Sequence, residues 1–235
     1  MRKPKGWTEA VGAPAKAEVA LSTWSISRLH DWERCPRYAM YRHGLKLPEP
    51  KGPALERGIA VHALAEAYLK AEEPPRRVPA ELSKFAPQFR ALRKKEAQSE
   101  VRFAVTEKWE PRGFFDPDVW GRAVADALVV SGKKARIVDF KTGKMRDGYG
   151  DQLELYALVV LLAHPEVLEV SCELWYLDSG ELASSRFKRA DLEELTARWT
   201  LRPLPMLEDR IFPSRPGWYC RYCHYRRDNA GPCEH

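Results

Sequence analysis

Apolar and polar positions follow two periods along the chain. From Glu100 to Thr106 they alternate, the pattern of a half-buried strand. Residues 121–130 and 135–141 are short apolar runs joined by Ser131-Gly132-Lys133-Lys134, a turn sequence, and together they read as a hairpin. Residues 168–177 give a further strand and 184–188 a short one. Helical regions are expected over 22–41, 54–71, 81–98, 151–162 (capped by Asp151) and 190–201, with the prolines of 72–79 interrupting the second and third. Strands interleaved with helices predict a mixed α/β domain. The chain then divides into a flexible tail (1–20), a helical N-terminal region (21–95), a core (96–210) and a Cys-rich tail (211–235).

The hairpin carries the candidate chemistry. Asp126 lies within the first run and Asp139 near the end of the second, so antiparallel pairing brings two carboxylates to one end of a sheet. Adjacent carboxylates repel unless a cation lies between them, and hard oxygen ligands favour Mg²⁺ or Mn²⁺. Lys141, two residues beyond Asp139, points to the same face. Two acids, a lysine and a divalent ion are what phosphodiester hydrolysis requires. Gln152 and Tyr156, four apart on a helix, share a face. His62 follows Gly58 by one helical turn; taken alone, it reads as an ordinary helix histidine, and Gly58 as a place of close approach.

The cysteines add a second clue. Of five, Cys220 and Cys223 have metal-type spacing and Cys233 follows shortly after. Cys172 lies in a strand and reads as buried, which leaves Cys35 as a fourth ligand. Four cysteines suit an iron–sulfur cluster or zinc, and His224 or His235 could replace one of them in a zinc site.

Composition agrees. The chain has 235 residues, 44% hydrophobic and 31% charged, and is long enough to bury a sizeable core. No apolar run would span a membrane, and no signal-peptide core is visible, so a cytoplasmic location is expected. The net charge of +6 is compatible with nucleic acid. Basic residues cluster at Arg90, Arg93, Lys94 and Lys95, and around the hairpin at Lys133, Lys134, Arg136, Lys141, Lys144 and Arg146. A third cluster, Arg215, Arg221, Arg226 and Arg227, is interleaved with Trp218, Tyr219, Tyr222 and Tyr225. Such groups can neutralise phosphates and stack on unpaired bases, or form a solvated surface over core aromatics.

Gly58-x-x-x-His62, Gly121 to Asp126, Asp139-Phe140-Lys141 and Gln152-x-x-x-Tyr156, in this order, resemble the RecB-like branch of the PD-(D/E)XK nucleases. The resemblance runs from about Ser25 to the C-terminus. It implies a restriction-endonuclease-like core, a central mixed sheet flanked by helices. It further implies that His62, Asp126, Asp139 and the Phe140 carbonyl bind the metal and that Lys141 orients the attacking water. Gln152 and Tyr156 would contact DNA or support the lysine. Some relatives use a further acid where Glu100 stands, although its pattern here favours the surface. The split set Cys35, Cys220, Cys223 and Cys233 resembles the [4Fe–4S] staple of AddB-type and CRISPR-associated exonucleases.

The reading implied is a metal-dependent DNA exonuclease of a bacterial, archaeal or phage-infected cell. It would act on DNA with single-stranded character, with a helicase, integrase or recombination protein as partner. The alternatives are an inactive nuclease-like DNA-binding module and a zinc-tied interaction protein.

Overall fold

The computed structural model describes residues 19–50, 52–73, 75–145 and 149–235. The expected flexible tail falls almost wholly outside these residues, as does Arg146. In chain order the elements are α1 (Ile26–Arg34), α2 (Pro36–Ala39), α3 (Pro53–Lys70), α4 (Ala86–Lys94), β1 (Gln98–Val105), β2 (Gly121–Ser131), β3 (Lys134–Lys141), α5 (Gly150–Ala163), β4 (Glu169–Tyr176), β5 (Glu181–Lys188), α6 (Leu192–Leu201) and α7 (Leu204–Glu208). Contacts divide the chain into two units: Gly52–Thr200, and the described parts of Met1–Lys51 together with Leu201–His235. Among the described residues no helix is long and apolar enough to cross a membrane.

The Gly52–Thr200 unit is built on a five-stranded sheet in the order β1-β2-β3-β4-β5. All neighbours are antiparallel except β3 and β4, which run parallel. A parallel pair needs a crossover, and α5 supplies it. The β2–β3 hairpin pairs Ser131 with Lys134, so its turn is Gly132-Lys133. Gly132 has φ +56°, a conformation that glycine adopts without the Cβ penalty other residues carry.

One side of the sheet buries Ala127, Val129, Val138, Phe140 and Trp175 against Val61, Ala65 and Tyr68 of α3 and Phe89 and Leu92 of α4. Phe85 stacks on Trp175 with centroids 5.1 Å apart, and Phe89 meets the same indole edge-on at 5.4 Å. Each such pair contributes about 0.5–1.5 kcal/mol beyond area burial. The mostly apolar α5 buries Leu153, Leu155 and Tyr156 through Leu161, as a helix crossing a sheet must.

Two helical expectations are corrected here. The stretch 81–98 is a 3-10 turn (Ala80–Phe85) followed by α4, with Pro87, which has no N–H to donate, in the first turn of the new helix. Asp151 is not the cap of α5: Tyr149 precedes the helix, and Asp151 sits inside its first turn, where negative charge complements the dipole.

The other unit joins the early and late parts of the chain. Ser25 caps α1 by accepting the Arg28 N–H, and Cys35 takes an extended conformation before Pro36, which divides the expected helical region into α1 and α2. Trp32 Nε1 donates to Asp209 Oδ2 (2.8 Å), Arg37 Nε to the Phe212 carbonyl (2.7 Å) and Tyr219 Oη to the Arg34 carbonyl (2.9 Å). Tyr225 is fully buried among Tyr38, Tyr41, Cys223 and Cys233, and its hydroxyl donates to the Leu47 carbonyl. Gly231 packs so tightly on Tyr225 that an added Cβ would fall 2.2 Å from the Tyr225 carbonyl oxygen.

Candidate active site

The β2–β3 ladder ends at Ala127↔Val138, one pair short of Asp126 and Asp139. The Phe140 N–H, which a longer ladder would direct to the β2 backbone, donates instead to Asp126 Oδ2 at 2.5 Å. On its other side β2 pairs with β1 at Ser99↔Ala127 and Val101↔Ala125, skipping Asp126 and Glu100. Glu100 sits at φ +52°, a left-handed conformation that interrupts the strand. Asp126 therefore lies in a fork where three strands lose their regular pairing.

Asp139 is buried at the same fork. Its Oδ1 accepts from Tyr156 Oη (2.5 Å) and Gln152 Nε2 (3.0 Å). Its Oδ2 is buried without a hydrogen-bond donor and lies 2.7 Å from Lys141 Nζ; the two make an ion contact outside hydrogen-bond alignment. Lys141 Nζ donates to Gln152 Oε1 at 2.9 Å and stands 5.2 Å from the Tyr149 ring centre. Because ammonium only donates, this contact fixes which end of the Gln152 amide faces it. Gln152 Nε2 also donates to Tyr156 Oη at 2.7 Å, and the Val124 carbonyl lies 2.7 Å from that hydroxyl.

His62 reaches the fork from α3, with Nδ1 2.8 Å from Asp126 Oδ1. The bond to Asp126 raises the imidazole pKa, against burial, which lowers it. Burial lifts the Asp126 carboxyl above the usual range, Asp139 adds to the lift, and His62 and the Phe140 N–H oppose it. Tyr156 is pushed far up by burial and by the Asp139 charge, so it remains a neutral donor. One turn before His62, Gly58 faces Thr142 Oγ1, which an added Cβ would meet at 3.3 Å. The close approach expected at Gly58 is made by the loop after β3.

Asp126, Asp139, Lys141, Gln152, Tyr156 and His62 thus meet through direct contacts. Two acids join them electrostatically. Glu100 is half-buried, and burial and the charges of Asp126 and Glu66 raise its carboxyl. Glu66 follows His62 by four residues on α3, a spacing that puts both on one helix face. A cation suits this donor set by chemistry, because the Asp126 and Asp139 carboxylates meet at one end of the sheet with His62 beside them, and only the Lys141 ammonium, 2.7 Å from Asp139 Oδ2, is ion-paired to Asp139.

Cys35, Cys220, Cys223 and Cys233 belong to one unit, and none is in a disulfide. Burial raises the Cys223 and Cys233 thiols, and the charge of Cys35 reaches both. Four neighbouring sulfur donors suit a soft metal centre by chemistry. Among the described residues, however, no group of three or more His, Cys, Asp or Glu side chains is drawn up as a coordination shell, here or at the carboxylate fork. Cys172 is fully buried in β4, as expected.

The basic clusters divide by what they touch. Arg93 donates to the Tyr68, Leu69 and Ala71 carbonyls and so caps α3. Arg136 forms a fork with Glu173 at 2.7 and 2.9 Å. Arg215 donates to the Glu33 carbonyl and Arg226 pairs with Asp228. These four hold the fold together. Trp218 and Tyr222 remain exposed, with Arg221 over both rings, whereas Tyr225 is core.

The model of the PD-(D/E)XK nuclease superfamily matches residues 23–227. Among solved structures, the chain is similar to SSO0001, with 18% identity, TM-score 0.44, and coverage of 87% of this chain and 84% of that one. It is also similar to a protein of Eubacterium rectale provisionally assigned as an exonuclease, with 16% identity, TM-score 0.49, and coverage of 86% and 88%. No curated protein matches. The matched span holds the whole carboxylate fork on its mixed sheet, and the chain belongs to the PD-(D/E)XK nuclease superfamily.

Proposed function

We propose that the protein is a divalent-metal-dependent deoxyribonuclease that removes nucleotides from DNA ends, in recombination, repair, phage DNA processing or CRISPR adaptation. The observation that supports this reading is the fork itself. Asp126, Asp139, Lys141 and His62 meet there, with His62 Nδ1 2.8 Å from Asp126 Oδ1 and the Lys141 ammonium 2.7 Å from the buried Asp139 Oδ2. Asp126, Asp139, His62 and the Phe140 carbonyl would hold Mg²⁺ or Mn²⁺. Such an ion supplies, when bound, a more acidic water and charge neutralisation at the phosphoryl oxygens.

The chain's own groups do the positioning. Tyr156 and Gln152 hold Asp139 Oδ1, so Oδ2 is the oxygen left facing the fork. Gln152 Oε1 fixes Lys141, whose remaining N–H donors can orient a water and add positive charge beside the scissile phosphate. The neutral Tyr156 and Gln152 add no charge of their own, so the field at the fork comes from the acids, Lys141 and His62.

We further assign Cys35, Cys220, Cys223 and Cys233 to a structural [4Fe–4S] cluster, with zinc as the alternative occupant. A helicase, integrase or recombination protein would be the working partner. Visible absorbance and metal analysis of anaerobically purified protein separate iron from zinc.

The central test is digestion of end-labelled single- and double-stranded DNA with Mg²⁺ or Mn²⁺ and with EDTA. Asp139→Asn and Lys141→Ala should each abolish cleavage while leaving circular dichroism unchanged. Full activity in either variant overturns the assignment. Tight DNA binding by the wild-type protein with no cleavage under any metal favours the inactive-module reading.

A further inference from the structure

We propose that the β1–β2 loop and the strand positions beside it form a binding platform for an unpaired nucleotide strand adjoining the carboxylate fork. The proposal rests on the phosphodiester reading above and names the part of the substrate that this surface takes.

The platform is continuous with the fork. Along β2, Arg122, Val124 and Asp126 occupy successive alternate positions, while Gly121, Ala123, Ala125 and Ala127 between them are buried. Successive alternate residues lie about 7 Å apart along a strand. Across the ladder Arg102 faces Val124, and Ala104 faces Arg122. Phe114 and Phe115, from the β1–β2 loop, pack edge to face at 5.2 Å. The Arg102 guanidinium lies 5.5 Å from the Phe114 ring centre and 5.9 Å from that of Phe115; Arg122 lies 5.2 Å from Phe114.

Three observations indicate a ligand. Phe115 is 77% exposed and Val124 39% exposed, so an aromatic face and an apolar step stand open beside the fork. Among the described residues neither the Arg102 nor the Arg122 side chain makes a hydrogen bond or a close ion pair; the guanidinium groups lie against the two rings, and Arg122 Nε is buried without an acceptor. Several other arginines of this unit are used internally: Arg57 on Asp178, Arg112 on Glu110 and Asp118, Arg136 on Glu173, Arg189 on carbonyls of 161–167. Finally, Arg102 stands close enough to Glu100 for its charge to oppose, in small part, the burial and the Asp126 and Glu66 charges that raise that carboxyl on balance.

The loop is built to hold its tip still. Trp109 and Trp120 are buried at its base, edge to face at 5.3 Å, and Trp109 Nε1 donates to Thr200 Oγ1 at 2.7 Å. Trp120 N donates to the Val105 carbonyl, and Asp116 Oδ2 accepts the Gly113 N–H. An aromatic tip on a fixed base, flanked by unpaired guanidinium groups, matches a polyanion whose bases are free to stack. A base paired within a duplex has no free face to offer, so the occupant is single-stranded or frayed.

The test compares wild type, Phe115→Ala and the double variant Arg102→Gln/Arg122→Gln. Binding is followed by anisotropy of fluorescein-labelled oligothymidylate and of a blunt duplex of equal length, in Ca²⁺. Turnover of bis(p-nitrophenyl) phosphate in Mn²⁺, a diester with no flanking strand, is measured in parallel. Phe115→Ala should weaken single-strand binding about tenfold, as expected when one base no longer stacks. The double variant should lower the slope of log K against log salt by about 1.4, or 0.7 for each phosphate no longer neutralised. Turnover of the small diester should stay at the wild-type value in Phe115→Ala.

Unchanged single-strand affinity and salt slope in the variants, with wild-type DNA cleavage intact, overturns the platform and leaves the hydrolytic reading standing. Equal losses on duplex and single strand overturn the unpaired-strand assignment. Absence of all cleavage in wild type, with the binding losses as stated, supports the platform and removes hydrolysis. A wild-type protein that binds no oligonucleotide overturns both.

Discussion

Replacing Tyr156 by Phe removes one oxygen from a fully buried position and leaves the ring in place. That oxygen lies 2.5 Å from Asp139 Oδ1, accepts from Gln152 Nε2 and has the Val124 carbonyl 2.7 Å away. A hydrogen bond to a charged group contributes about 1.5–3 kcal/mol, and the volume change is too small to add a cavity cost. The variant should therefore lose about 1.5–3 kcal/mol. At roughly 2–4 °C per kcal/mol for a chain of this size, its Tm should fall by about 3–12 °C. The same comparison with Gln152→Leu, and with both changes together, forms a double-mutant cycle read by thermal unfolding. Both side chains donate to one carboxylate oxygen, so the cycle should show coupling of about 0.5–3 kcal/mol. A cost below about 0.5 kcal/mol for Tyr156→Phe, with strict additivity, would refute the claim that these donors hold Asp139 in place.

Three further outcomes follow from other contacts. Asp178 accepts from Arg57 at 2.6 and 2.8 Å and from the Gly143 N–H at 2.7 Å, and the bond to Arg57 holds its carboxyl below the usual range. Its folded value lies below its unfolded one, so its stabilisation is present above about pH 4 and is lost as pH falls through the folded value. Thermal melts should accordingly show Asp178→Asn less stable than wild type at pH 7 and indistinguishable from it at the acid end. Gly231→Ala should loosen the late cysteine segment, because its Cβ would strike the Tyr225 backbone; faster limited proteolysis near residue 230 is the readout. Cys172, fully buried and with its thiol pushed far up by burial, should resist alkylation in native protein while Cys220 and Cys223 react in metal-free protein, as read by mass spectrometry.

The sheet was legible because its strands carry strong local patterns: alternation in β1, apolar runs in β2 and β3, and a Gly-Lys turn between them. The convergence of Asp126, Asp139 and Lys141 followed from strand periodicity alone. Other features depended on contacts that no local pattern records. The left-handed backbone of Glu100 interrupts β1 at a residue that the alternation placed in a regular strand. Arg93 and Arg136 look like phosphate-binding residues in a basic run, yet each is used on a partner 22 or more residues away in sequence. Asp31, buried, ion-paired with Arg34 and Arg42 and in hydrogen-bond contact with His43, is unremarkable in sequence because the turn that carries Arg42 and His43 comes after the break at Pro36. The free guanidinium groups of Arg102 and Arg122 emerge only once the loop bearing Phe114 is seen to fold back over them.

Building one unit from two distant stretches of chain sets an order of events during synthesis. Residues 19–50 leave the ribosome before the sheet does, but their packing partners, Asp209, Phe212, Tyr219 and Tyr225, are translated after it. The carboxylate fork draws only on residues 62–156 and can assemble while those partners are still being made. A nascent protein would then carry a formed carboxylate fork while Tyr38 and Tyr41 still wait for Tyr225, which leaves the early helices as a segment for a chaperone to shield.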